Sequence, residues 1–178
     1  MKLLTVLLAV GFLFSGCMSF APVYKVETHI DEIDGFTAHT MEYYELPALK
    51  DTERHSIKIN VEKFVKDEYI SYTLGIWYND NRRLSIEEKD SLLLIIDNER
   101  IELSTKFQPG GRGHRRFVSE YAAYEITIEQ LRKIAYASKI IIRLRGSRGW
   151  KDAKFNEFII QCFRNFYETY AVKGDRNG

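Results

Sequence analysis

The chain has 178 residues, 45% hydrophobic, 29% charged and 13% aromatic, with three prolines; this composition describes a packed domain and excludes a disordered tail or a fibre. A formal net charge of +1 excludes bulk attraction to nucleic acid. Residues 21–100 carry 10 Lys/Arg against 17 Asp/Glu and residues 101–178 carry 15 against 8, so the two halves are expected to neutralise each other across the fold.

The chain opens on Met1-Lys2, followed by an uncharged apolar run of twelve residues from Leu3 to Phe14. A membrane-spanning helix needs roughly 20 apolar residues, so this run has the size of a signal-peptide core. It ends in Phe14-Ser15-Gly16-Cys17, which resembles the lipobox of bacterial prolipoproteins, with Phe14 where leucine is usual. The resemblance implies cleavage before Cys17 and attachment of diacylglycerol to its thiol. Two or three acyl chains hold a protein stably, because each buried methylene adds about 0.8 kcal/mol. Met18 rather than aspartate after the cysteine implies, by the same resemblance, the outer membrane, facing the periplasm. The expected division is a signal peptide at 1–16, a lipidated tether at 17–22, one domain at 23–172 and a tail at 173–178. Cys162 is the only other cysteine, so a lipidated Cys17 excludes a disulfide scaffold.

Tyr24–Ile30 and Phe36–Glu45 alternate apolar and polar residues around Asp34-Gly35, a tight-turn signal, and predict a hairpin. Residues 55–64 and 69–78 repeat the alternation as half-buried strands. Leu92–Ile96 is continuously apolar and predicts a strand covered on both faces, paired with the segment that begins at Ile101. Residues 107–116 break the pattern with glycines and arginines and predict an exposed loop. A strand over 117–126 leads to Thr127, which with Gln130 predicts a capping box at the start of a short helix over 128–137. A strand over 139–145 and a turn at 146–149 follow. Residues 154–170 predict a long amphipathic helix whose apolar stripe holds Phe155, Ile159, Cys162, Phe163, Phe166 and Tyr170. The expected class is α+β, a mainly antiparallel sheet with the long C-terminal helix and the short helix packed on it.

Nucleophile motifs are missing: Gly146-Ser147-Arg148-Gly149 is one residue too short for G-x-S-x-G and reads as a turn. Cys162 sits on the apolar stripe, where a thiol acts as a small hydrophobe. His29 and His39 can face each other across the first hairpin beside Asp31, Glu32 and Asp34, but acidic hairpin turns are ordinarily just solvated, and no metal or cofactor is expected. Tyr43, Tyr44, Tyr69, Tyr72, Trp77, Tyr78 and Trp150 offer contact chemistry for a partner or glycan, although strand aromatics usually pack inward.

The most distinctive polar feature is cationic. Arg112, His114, Arg115 and Arg116 occupy the glycine-rich segment, and Arg143, Arg145, Arg148 and Lys151 surround the later turn. If the two lie at one end of the sheet they form an anion site, since guanidinium forks bind phosphate and carboxylate bidentately; otherwise these residues pair with the acidic half. The function this supports is a membrane-anchored, non-enzymatic envelope lipoprotein that meets an anionic envelope component or another envelope protein. The alternative is a tethered hydrolase with a site assembled from dispersed histidines and carboxylates.

Overall fold

A computed structural model describes residues 23–49, 55–107, 109–114 and 117–172. The expected leader, lipid site at Cys17, tether and tail lie outside these residues, as do Arg115 and Arg116.

The first half folds by local alternation. Strands β1 (Val26–Asp31) and β2 (Phe36–Met41) form the expected hairpin, turning at Gly35 with φ +65°, a backbone region that glycine enters without cost. β2 runs along β4 (Ser56–Lys66), and the short β3 (Tyr44–Leu46) continues along the same edge. Thr40 opposes Glu62 while Tyr44 opposes Ile59, so the β2–β3 side holds one residue more than its partner. That bulge redirects the chain and sends Tyr43 to the solvent face. β4 pairs over its whole length with β5 (Tyr69–Asp80).

β9 (Phe117–Ile126) pairs with β5, and β8 (Gly110–His114) pairs with β9 as an edge strand. The segment expected as an exposed loop at 107–116 therefore contributes a strand. Its glycines supply backbone groups to the ladder but no side-chain alternation to announce it. The first sheet has the order β1-β2-β4-β5-β9-β8, and every pairing is antiparallel.

A second antiparallel sheet has the order β11-β10-β6-β7, built from β6 (Leu92–Ile96), β7 (Glu99–Leu103), β10 (Ile140–Gly146) and β11 (Gly149–Lys154). β6 is interior, and Leu92, Leu93 and Leu94 are all buried, as its continuous apolar run predicts. β11 runs from the last residue of the expected turn to the first of the expected helix, across residues 150–153 for which the sequence predicts no element. Its only buried apolar side chain is Ala153, too little for a hydrophobic pattern to reveal.

Helix α1 (Ile128–Tyr136) carries the expected capping box, with Thr127 and Gln130 each accepting the other's backbone N–H. α2 (Glu157–Phe166) is capped by Asn156 and has ten residues; six more, Tyr167–Val172, continue in π geometry. The long helix expected over 154–170 is thus corrected to this shorter element, because Lys154 is still paired with Ile141 in β11. Within the π segment the Tyr170 carbonyl accepts from Lys63 Nζ at 2.6 Å. The inward side chains of both sheets and the buried faces of both helices form one hydrophobic core, from Met41 to Ala171. No helix among the described residues is long and apolar enough to cross a membrane.

Candidate functional site

The site begins with a buried carboxylate. Glu120 on β9 is 6% exposed, and ionised oxygens so placed must be satisfied by donors. Its Oε1 accepts from the Leu84 and Ser85 backbone N–H groups at 2.7 and 3.1 Å, and its Oε2 accepts from the Ile86 N–H at 3.0 Å. Ser85 adopts φ +56°, so successive N–H groups converge on one anion in the manner of a backbone nest. The loop after β5 is thereby held against the sheet.

That loop in turn holds the β10–β11 turn. The Ser147 and Arg148 N–H groups donate to the Ser85 and Leu84 carbonyls at 2.9 and 3.2 Å. Gly146 lies against these same carbonyls, and a Cβ there would run into backbone. The glycine serves close approach, and the turn is docked rather than free.

Between the two segments opens a pocket of about 580 Å³ whose charged and aromatic lining is Asp80, Arg82, Arg83, Arg148, Trp150 and Lys151. Tyr78 and Val118 line the wall on the β5–β9 side, with Asn81 and Leu84 beside the arginine pair. Asp80 is engaged: its Oδ1 accepts from the Asn81 N–H at 2.6 Å, its Oδ2 accepts from the Tyr78 hydroxyl at 2.8 Å, and Lys151 Nζ stands 3.7 Å away. Burial alone would raise the Asp80 carboxyl, but these donors, with Lys151 and His55 nearby, bring it below the ordinary aspartate value. Burial and Asp80 push the Tyr78 phenol far up. Among the described residues, Arg82, Arg83 and Arg148 have no carboxylate within ion-pair distance.

The eight cationic residues singled out in the sequence do not all meet here. Arg148 and Lys151 line the pocket, and Val118, just after the β8–β9 connection, reaches its wall. Arg143 lies on the solvent face of the second sheet, bidentate to Asp152 at 2.7 and 2.8 Å, with its guanidinium 5.4 Å from the centre of the Trp150 ring. Arg145 pairs with Glu102 at 3.3 Å and donates to the Asp90 carbonyl. Arg112 faces solvent from the first sheet beside Trp77 and Tyr121. His114 ends β8, and Arg115 and Arg116 fall outside the described residues. Pairing across the acidic and basic halves occurs at Lys151–Asp80 and at Lys133–Glu99, the latter 2.6 Å.

Arg82 and Arg83 were missed. The adjacent pair was visible as a basic doublet two residues beyond a strand that ends in Asp80, but only the docking of the loop onto Glu120 brings it beside Arg148. The hairpin register puts His39 opposite Thr28 and His29 opposite Ala38, so the two imidazoles point to opposite faces. His39 turns inward against Tyr170, with ring centres 4.6 Å apart, and burial together with Lys63 lowers its pKa. Cys162 is buried, and burial pushes its thiol up to about 11, which keeps it protonated and unreactive. The pocket lining contains no histidine, serine or cysteine among the described residues. Chemically the arrangement can hold an anion.

Comparison with protein-family models, with curated proteins and with solved structures finds no match to this chain.

Proposed function

We propose that this protein is a lipid-anchored envelope protein whose folded domain binds an anionic group without transforming it. The observation that carries the binding half is the cationic pocket, where Arg82, Arg83, Arg148 and Lys151 surround one cavity whose lone carboxylate is already engaged. Three guanidinium groups around one space suit a phosphate or carboxylate group, because each fork supplies parallel N–H donors. Trp150 adds an aromatic wall beside them. The anchor half rests on the resemblance of Phe14-Ser15-Gly16-Cys17 to a lipobox. An anchored domain with a basic pocket would meet lipid headgroups, phosphorylated surface glycolipid or an acidic partner at the membrane.

Titration calorimetry of the chain from Cys17 onward with pyrophosphate, and sedimentation with vesicles containing phosphatidylglycerol, test the binding. Saturable association with either, weakened at least tenfold by Arg148→Ala with Arg82→Ala, is the expected result. Affinity unchanged in that double variant, or no association with either probe, overturns the proposal. Binding of vesicles but not pyrophosphate would identify a lipid headgroup as the source of the anion.

A further inference from the structure

We propose that the solvent face of the first sheet carries a second binding site, for a neutral saccharide, centred on Trp77 and Tyr121. The parity of β5 sends Tyr72, Leu74, Ile76 and Tyr78 into the core, so Thr73, Gly75 and Trp77 look outward. Trp77 is opposite Tyr121, and Tyr121 is opposite Gly110. The indole and phenol rings sit 5.1 Å apart at 43°, and Tyr43, delivered by the β2–β3 bulge, meets the indole edge-on at 6.3 Å. Trp77 is 37% exposed in the middle of the sheet, where neither helix nor second sheet covers it.

Around the rings the ladder sets two unlike polar rows. On one side Thr40, Glu62, Thr73 and Glu125 stand in register across four strands. On the other, Arg112, Ser119 and Asn79 stand in register across three strands. Glu62 Oε2 accepts from the Thr40 hydroxyl at 2.9 Å, which orients the carboxylate and leaves Oε1 to accept from a ligand. Between the rows the floor is filled at Gly75 by neighbouring side chains and open at Gly110. A Cβ at Gly75 would collide with the Asn60 carboxamide and the Tyr43 hydroxyl, whereas one at Gly110 would meet nothing within 4 Å. The result is a recess of about 450 Å³ over Trp77, Tyr121 and Gly110, adjoined at Tyr121 by a smaller one of about 120 Å³ over Gly75.

The chemistry selects the ligand class. Carboxylates on one flank disfavour an anion, the Arg112 guanidinium on the other disfavours a cation, and both flanks would be left unsatisfied by a purely apolar molecule. An added β-strand needs an unpaired edge, and the Trp77 and Tyr121 rings stand on β5 and β9, each paired on both sides. A pyranose ring meets every requirement: its C–H face lies on an aromatic platform, and its hydroxyls both donate to Glu62 and accept from Arg112. Burial holds the Tyr43 and Tyr121 phenols above their ordinary value, and Tyr43 is hydrogen-bonded to Tyr121 and Trp77, which leaves the Tyr121 hydroxyl to donate to a sugar hydroxyl.

The chain has two tryptophans, so Trp150→Phe leaves Trp77 as the sole indole reporter. Its emission is followed while that protein is titrated with a panel of neutral trisaccharides including maltotriose and tri-N-acetylglucosamine. A saturable change with at least one sugar is expected, with affinity at least tenfold weaker after Tyr121→Ala, about threefold weaker after Arg112→Ala, and unaltered after Arg148→Ala. Silence across the whole panel overturns the proposal, as does affinity that Tyr121→Ala leaves intact. Circular dichroism melting of each variant separates loss of the site from loss of the fold. Because Arg148 lies in the cationic pocket alone, failure here leaves the pyrophosphate result standing, and the reverse.

Discussion

Glu120 is where a single side chain decides the most. Its carboxylate is the acceptor for three consecutive backbone N–H groups, and removing it strands buried donors whose desolvation is no longer repaid. Glu120→Ala is expected to cost about 3 kcal/mol in urea-induced unfolding. It should also weaken pyrophosphate binding, because the loop bearing Arg82 and Arg83 loses its fastening. Gly146→Ala acts from the other side of the same joint. Its Cβ meets the Leu84 and Ser85 carbonyls, which are backbone and cannot rotate away, so a loss of about 2 kcal/mol is expected. Asp80 carries the opposite sign for binding. A unit charge several ångströms from a ligand in a wet pocket contributes under about 1 kcal/mol. Asp80→Asn should therefore tighten pyrophosphate about threefold by calorimetry, while both arginine substitutions loosen it. Equal loosening by all three would mean that the pocket depends on shape rather than charge.

At the scale of elements, two connections hold the second sheet and α1 in place. Thr127 caps α1 reciprocally with Gln130, and Thr127→Ala should lower stability by about 1 kcal/mol. Asp97, at φ +51° in the β6–β7 turn, accepts from the Ser138 hydroxyl and from the Ser138 and Lys139 N–H groups at 2.6, 3.0 and 2.9 Å. These bonds, the Ser138 hydroxyl foremost, hold its carboxyl below the ordinary aspartate value. A carboxyl lowered on folding stabilises the protein above its unfolded pKa, and the contribution fades as pH falls through the folded one. Asp97→Asn should therefore be less stable than the parent at neutral pH, with the gap closing below the ordinary aspartate value. A gap that is constant across that window would remove the ionised carboxylate from the account. Such elements were legible where side chains alternate or cap: Ile57, Ile59 and Val61 announce β4, and Thr127 with Gln130 announces α1. β8 and β11 were not, because Gly110, Gly111 and Gly113 have no side chains to alternate and Ala153 is the one apolar side chain that β11 buries. Both strands exist through backbone pairing with a neighbour that local sequence does not name.

Long-range register accounts for what remained hidden at the scale of the molecule. Nothing near Arg82 in the chain says that Arg148 will face it; Glu120, 34 residues or more from the N–H groups it binds, makes that meeting. The outward direction of Trp77, by contrast, follows from the parity of Tyr72, Leu74, Ile76 and Tyr78 and was readable once β5 was placed. Among the described residues the core is built from residues between Met41 and Ala171. If Phe14-Ser15-Gly16-Cys17 is the lipobox proposed above, Cys17→Ser in the full chain should abolish incorporation of radiolabelled palmitate and move the protein from the membrane to the soluble fraction. Retained palmitate label in Cys17→Ser would remove the lipobox reading, and with it the reason for seeking the ligands of either site at a membrane.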